Sequence, residues 1–516
     1  MLIASIDCVG SDCQPPPDGA AAAAAQPTLH TLIATECSRY FTWQTIGLVH
    51  SIKQSGHPGP VTRLLSCTKE DWEALDAADR DLAASLPVAT HWAPSYSTHP
   101  RTGDVYPGIN KPVAVVDWLA NTDVKEDYVL VIDADMIMRR PILPQEVGAA
   151  PGTAISGFFG YLIGVDNELA LRHVPQVQPR NDTRAGPAGR RGDQVGGFTL
   201  MATADMRRVA PLWLKLSEDV REDPLAWNLT GDHYAKEGDR PWIAEMYGYS
   251  FGCAAADVWH IATGRLMRYP GYAVDREIYQ DPPSVLHYGI LWEVAGTGYS
   301  FDKHWHYDFD ALACPPWHMS DDPFHTKRGL FAHPPRPSSL NTTGLELLRD
   351  LLAIEVLVTL NEAFCERHRH ACPPSEELER ECGKAEAIAQ ELRDTYASLP
   401  PLPPDPEVQQ YEVPAPVEAA EAAAEAAEAA AEADAQAAKE AEGQAAAAEA
   451  AEAVTAEAEA VAAAAAEAEL QSSEDAAAAG QHGQQRQVAA AEAPGEPGPP
   501  SEADRPRAPG QVHTEL

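Results

Sequence analysis

Two apolar periods alternate along this chain, and the switches between them mark its elements. HTLIATE at 30–36 and VTRLLSC at 61–67 are short runs of strand character. Between them Phe41, Ile46, Leu48, Val49 and Ile52 recur at helical spacing from Tyr40 to Gln54. Gly56-His-Pro-Gly-Pro stops that helix. Strand, helix, strand opens a doubly wound α/β domain. Tyr128 to Ile132 runs straight into Asp133-Ala134-Asp135 and predicts a buried, central, parallel strand. Pro112 suits the first turn of a helix that continues through VAVVDWLA at 113–120. ISGFFGYLIGV at 155–165 reads as a plain buried strand, or as a glycine- and aromatic-rich platform for a base or sugar ring. Residues 174–195 read as a polar insertion and a mobile loop. GGFTLMA at 196–202 resumes a strand, and 204–223 a helix. Residues 341–395 predict one or two charged amphipathic helices.

The ends lose this patterning. Residues 1–28, with PPP and an alanine run, predict an unstructured leader. Prolines break the chain at 399–415, and Pro416 to Leu470 is mostly Ala and Glu. Alanine favours helix there, but like charges at i,i+4 oppose it. Too few large apolar residues remain to bury a core, so 399–516 is expected to be a disordered acidic tail. The ordered part divides into an α/β domain at 29–310 and a helical, cysteine-containing accessory segment at 311–398.

Charge and cysteine then narrow the class. From Pro401 to Leu516, 24 acidic residues face 4 basic ones, a net of −20 out of −39 for the chain. Neither part is basic, which argues against nucleic acid as a partner. No apolar run reaches the roughly 18 residues of a membrane span. LLAIEVLVTL at 351–360 is too short and carries Glu355. The start MLIASIDCVG lacks a basic region and a full apolar region, so either the protein is not secreted or the chain lacks its natural beginning. Nine cysteines include no CxxC pair. Cys365, Cys372 and Cys382, with Cys314 before them, fit either disulfides in a secretory lumen or buried free thiols. Asn181, Asn228 and Asn341 begin glycosylation sequons.

The candidate chemistry gathers around 133–135. Ligands of open α/β sheets collect at the carboxyl ends of strands. Asp133 and Asp135 there form a hard oxygen site suited to Mn²⁺ or Mg²⁺, which would neutralise a diphosphate. The bland alternative has Asp133 capping a turn and Asp135 facing water. No Gly-x-Gly-x-x-Gly or Walker sequence follows the first strand, so the phosphates would fall to the metal. Asn110 and Lys111 sit at a helix start that attracts anions, or Lys111 is simply solvated. Glu245, among Trp242, Tyr247 and Tyr249, is a candidate acceptor or base, or the edge of a core helix. Asp232 is a second candidate carboxylate. His287, after a short apolar run, suits a third metal ligand, although a lone histidine more often belongs to the core. Lys303 follows, within reach of phosphates.

HTLIATEC at 30–37, YFTWQTIGLVHSIKQSGHPGPVTRLLSC at 40–67, YPGINKP at 106–112, VLVIDADMIMRRPI at 129–142, WIAEMYGYSFG at 242–252 and VLHYG at 285–289 resemble the peptidyl serine α-galactosyltransferases of green algae and plants. Those enzymes are relatives of the hydroxyproline O-arabinosyltransferases. The resemblance spans His30 to Tyr307 and implies a GT-A-like, Rossmann-type nucleotide-sugar sheet. It further implies UDP-galactose as donor, Mn²⁺, and a Ser/hydroxyproline-rich, extensin-like polypeptide as acceptor. It implies retention at the transferred sugar, in the lumen of the endoplasmic reticulum or Golgi. The family's DxD falls on Asp133 and Asp135, and the later metal histidine, by analogy with other retaining GT-A enzymes, on His287. Lys111 or Lys303 would assist the phosphates, and Glu245 or Asp232 would steady the sugar or act as a transient nucleophile. Competing readings are arabinose transfer to hydroxyproline, and a relative that only holds UDP or glycan. A phosphatase of the Asp-x-Asp-x-Thr/Val type fits poorly, because Ile137 stands two after Asp135 and the motif is not on the first strand. The missing membrane anchor and the insertions at 174–195 and 235–240 depart from the family pattern.

Overall fold

The computed structural model describes residues 26–403. Almost all of the expected leader and the tail after Pro403 lie outside the described residues. The strands are β1 (Leu29–Glu36), β2 (Val61–Ser66), β3 (Ala89–Ala93), β4 (Tyr128–Asp133), β5 (Met136–Met138), β6 (Thr153–Phe158), β7 (Val195–Ala202), β8 (Trp259–Thr263), β9 (Met267–Arg268), β10 (Val285–His287), β11 (Trp292–Val294) and β12 (Tyr299–Phe301). Seven of them make the main sheet, in the order β3-β2-β1-β4-β7-β6-β8. The first four in that order are mutually parallel. β7 runs antiparallel to both β4 and β6. The expected central strand is therefore central and buried, but parallel on one side only. A small second sheet has the order β5-β10-β9, and β11 and β12 form a hairpin.

The helix between β1 and β2 covers Arg39–Ser55. Ser38 starts it, its hydroxyl accepting the Phe41 N–H. Gly56 ends it in the left-handed region at φ 70°, a conformation open to glycine without a Cβ clash. Pro112 lies in the first turn of the Asn110–Asn121 helix, as its position predicts.

The apolar run at 155–165 does not continue as a strand. β6 stops at Phe158, after a register shift between Ser156 and Gly157. Phe159 then folds over Gly196, where a Cβ would lie 2.3 Å from the ring. The rest of the run is a short loop and a 3₁₀ turn at Ile163–Val165, with Leu162 buried and Tyr161 exposed. Residues 174–195 are also not a loose insertion. Arg190 is buried and donates to Asp193 at 2.9 Å and to Asp182 at 3.0 Å. That buried ion network ties the segment to the sheet.

The C-terminal segment forms two helices, Gly344–Ala371 and Glu376–Ala397. Trp43, Phe309, Phe331, Phe364, Leu360 and Leu392 belong to one buried cluster, so these helices share a core with the Arg39–Ser55 helix. Each such side chain contributes roughly 1.5–3 kcal/mol on burial. Gly47 permits the approach, because a Cβ there would lie 2.3 Å from Leu360 Cδ2. Disulfides join Cys314 to Cys372 and Cys365 to Cys382, which decides between the two readings of that cluster. A third, Cys37 to Cys67, ties the carboxyl ends of β1 and β2. Cys253 is a buried free thiol. Among the described residues, no helix is long and apolar enough to cross a membrane.

Candidate active site

Sheet pairing brings the candidate ligands together. Ala34 of β1 stands opposite Asp133 at the end of β4. The chain turns directly into β5, which pairs antiparallel with β10 and sets Met136 opposite His287. The Tyr288 N–H donates to the Asp135 carbonyl at 3.0 Å. This short ladder holds the His287 ring against Asp135, with Nε2 3.3 Å from Oδ2. Tyr269 lies against the other side of the ring, 4.8 Å between centroids. One ligand atom each from Asp133, Asp135 and His287 lie within 4.8 Å of one another. Two carboxylates and an imidazole at that separation fit a divalent cation of the Mn²⁺ or Mg²⁺ kind.

Two lysines flank the triad. Lys111 Nζ lies 2.9 Å from Asp133 Oδ1 and 3.7 Å from Glu245 Oε2. Lys303 Nζ lies 2.5 Å from Asp135 Oδ2. Burial pulls both ammonium groups toward neutrality, but the facing carboxylates outweigh it and hold both above the ordinary lysine value. Burial pushes the Asp135 carboxyl up, and Lys303 and His287 together reverse that and hold it well below its usual range. Glu245 goes the other way. Burial raises it, and nearby Lys111 offsets only part of the effect. Asp133 keeps 26% of its side chain exposed and Asp135 9%, so the first is the more open of the two and the second is nearly enclosed. A cavity of about 40 Å³ runs between Lys111, Asp133, Glu245, Met246, Tyr249 and His287.

The remaining candidates have other duties. Both Asp232 oxygens accept backbone N–H groups, from Tyr234 at 3.1 Å and Trp242 at 2.7 Å. It shapes the loop that leads to Glu245 and does not join the triad. Asn110 accepts from the Tyr96 N–H and donates to Glu36 and Ser97, so its amide is spent on fixing the loop before Lys111. Sequence reading passed over Tyr40, whose ring lies 6.0 Å from Lys303 Nζ, and Tyr269. Tyr40 opens the 40–67 stretch but reads there only as a helix start, and Tyr269 stands in none of the stretches quoted above; pairing of β9 with β10 is what delivers Tyr269. The Cys37–Cys67 bond had a readable signal, since each cysteine directly follows a strand and Glu36 pairs with Ser66.

Residues 29–262 match the pattern described as the hydroxyproline O-arabinosyltransferase family N-terminal domain. A peptidyl serine alpha-galactosyltransferase of Chlamydomonas reinhardtii is 46% identical over 71% of this chain and 49% of its own length. A protein of the same name from Arabidopsis thaliana is 42% identical over 67% of this chain and 39% of its own. Hydroxyproline O-arabinosyltransferase 1 of Arabidopsis thaliana is more distant, 28% identical over 48% of this chain and 60% of its own. The chain thus spans half or less of the peptidyl serine relatives. Among solved structures, mouse xyloside xylosyltransferase 1 superposes with a TM-score of 0.29 at 10% identity, over 51% of this chain and 98% of its own. The chain is a relative of the peptidyl serine alpha-galactosyltransferases and carries, at 29–262, the N-terminal domain of the hydroxyproline O-arabinosyltransferase family.

Proposed function

We propose that this chain is a metal-dependent retaining glycosyltransferase that moves galactose from UDP-galactose to serine in Ser/hydroxyproline-rich polypeptides. The observation that carries the reading is the Asp133, Asp135 and His287 triad at the end of β4, with a lysine on each acid. A Mn²⁺ or Mg²⁺ ion held by these three residues would take up negative charge as the diphosphate departs. Lys111 and Lys303 present fixed ammonium groups to the phosphates from two sides. Glu245, buried beside Lys111, steadies the sugar as positive charge develops on its ring. Asp232 and Asn110 position the loops that carry Glu245 and Lys111. An α-linked donor that gives an α-linked product keeps its configuration. The serine hydroxyl then enters on the face that UDP leaves, and the departing phosphate oxygen accepts the serine proton. No separate protein base is required.

Three disulfides among the described residues favour an oxidising compartment, the lumen of the endoplasmic reticulum or Golgi. The exposed sequon residues Asn181, Asn228 and Asn341 fit the same compartment. The deciding experiment is the mass shift of a synthetic Ser-hydroxyproline peptide with UDP-galactose or UDP-arabinofuranose, with Mn²⁺ or chelator. One hexose added to serine, lost with chelator and in Asp133→Ala, is the expected result. Pentose on hydroxyproline would reassign the donor and acceptor. UDP binding without transfer from either sugar would leave a binding protein.

A further inference from the structure

At the far end of β5 from the triad lies a groove of about 770 Å³. Its lining includes Tyr279, Tyr396, Val358 and Leu392, and the chain's own Leu399–Leu402 also borders it. We propose that this groove is a second docking site, separate from the transfer site, for polyproline-II stretches of the acceptor polypeptide. The proposal rests on the acceptor reading given above.

The contact chemistry is already present. The Tyr279 hydroxyl donates to the Pro400 carbonyl at 2.7 Å. Proline has no N–H, so a proline-rich chain offers only carbonyl acceptors and ring faces. Tyrosine-lined grooves answer both needs. Tyr396 is held ready: its hydroxyl donates to Glu355 at 2.5 Å, and the Arg139 guanidinium lies 5.3 Å from its ring. A preset ring costs less entropy on binding.

Charge narrows the ligand further. Arg139 pairs with Glu355 at 2.7 Å, Arg140 with Asp281 at 2.8 Å and Arg393 with Glu362 at 3.1 Å. Each cation is neutralised by its own carboxylate, so the groove holds no spare charge for a nucleotide or an acidic peptide. A neutral proline run fits it. Reach is adequate as well. Asp135 and Arg140 are five positions apart in sequence, at most about 18 Å along an extended chain. Polyproline II covers that distance in about six residues at ~3.1 Å each. An acceptor serine followed by about six or more prolines is therefore long enough to span from the triad to the groove.

The test uses the full chain and a fluorescent, serine-free proline peptide about ten residues long, roughly 31 Å as polyproline II. Anisotropy is read in chelator without any UDP-sugar. Saturable binding is expected, weakened about tenfold or more by Tyr279→Ala. Tyr279→Phe keeps the ring and gives an intermediate loss. In transfer assays Tyr279→Ala raises KM for an acceptor with a long proline flank, leaves kcat alone, and leaves KM for a short acceptor alone. No binding at ~1 mM peptide, or equal binding by Tyr279→Ala and the parent, overturns the proposal. Binding that appears only when Pro400 and Pro401 are replaced by alanine assigns the groove to the chain's own segment, and overturns it too. Peptide binding needs neither donor nor metal, so this failure is distinct from a failure of the transferase reading.

Discussion

Asp133 and Asp135 are equals in the proposed chemistry and unequal in the fold, which separates the two roles by experiment. Asp135 is nearly sealed, and among the described residues it is the one ion-pair partner of Lys303. Asp135→Ala strands a buried ammonium, a loss of about 3–5 kcal/mol. Asp133 is a quarter exposed, and its lysine keeps Glu245 at 3.7 Å when it is gone. Asp133→Ala should cost about 1 kcal/mol or less. The assay is urea unfolding in chelator, where metal binding makes no contribution, alongside galactose transfer with Mn²⁺. Both variants lose transfer, and only Asp135→Ala unfolds at clearly lower urea. Lys303→Met added to Asp135→Ala should recover most of the lost stability, because it removes the stranded charge. Equal unfolding by the two single variants, or a larger loss at Asp133, refutes the reasoning from burial and partners.

Three further outcomes are expected. Glu245→Gln keeps the shape and removes the charge, and should lower kcat about 100-fold; an unchanged kcat removes Glu245 from the reaction. His57 is buried against Thr31, and burial holds its pKa near 4 against 6.5 for the free side chain. The unfolded chain takes up that proton first as pH falls. Stability from this group is whole above about 6.5 and declines by roughly 3 kcal/mol toward pH 4. His57→Gln should flatten that part of the pH–stability curve, and an identical slope in the variant counts against it. Gly47→Val should cost about 1–3 kcal/mol through overlap with Leu360; unchanged thermal unfolding would mean that the two helices do not meet there.

The α/β opening was legible because each of its elements carries a local signal. β1, β2 and the Arg39–Ser55 helix show their periods, and Gly56 shows the stop. β4 was legible by its unbroken apolar run, yet its direction relative to β7 was not. Antiparallel pairing depends on how the chain returns across more than sixty intervening residues, and no local period encodes that. The aromatic run at 155–165 failed as a strand for a related reason. Gly157 and Gly196 let the two strands slip and let Phe159 fold over the sheet, a contact between positions far apart in sequence. The 174–195 segment looked loose because its polar residues are many. Arg190 and Asp193 are buried because each neutralises the other, and the partly exposed Asp182 braces Arg190 from outside.

In the site, residue types were easier to read than their duties. Asp133, Asp135, His287, Lys111 and Lys303 do converge, since one turn and one antiparallel ladder suffice to gather them. Asp232 carries the same chemical group as Glu245 and sits within 13 positions of it, yet it spends both oxygens on backbone N–H groups. What distinguishes the two is supply of donors. Asp232 follows Gly231 at φ 76° in a loop whose N–H groups have no ladder to join, so the carboxylate is drawn inward to satisfy them. Glu245 lies in the first turn of the Ala244–Ala255 helix, where the Glu245 N–H already goes to the Tyr106 hydroxyl. Its carboxylate is thereby left for Lys111 and the cavity. A carboxylate is free for chemistry when the backbone around it has other partners, and that condition is set by tertiary contacts such as Tyr106, 139 residues away.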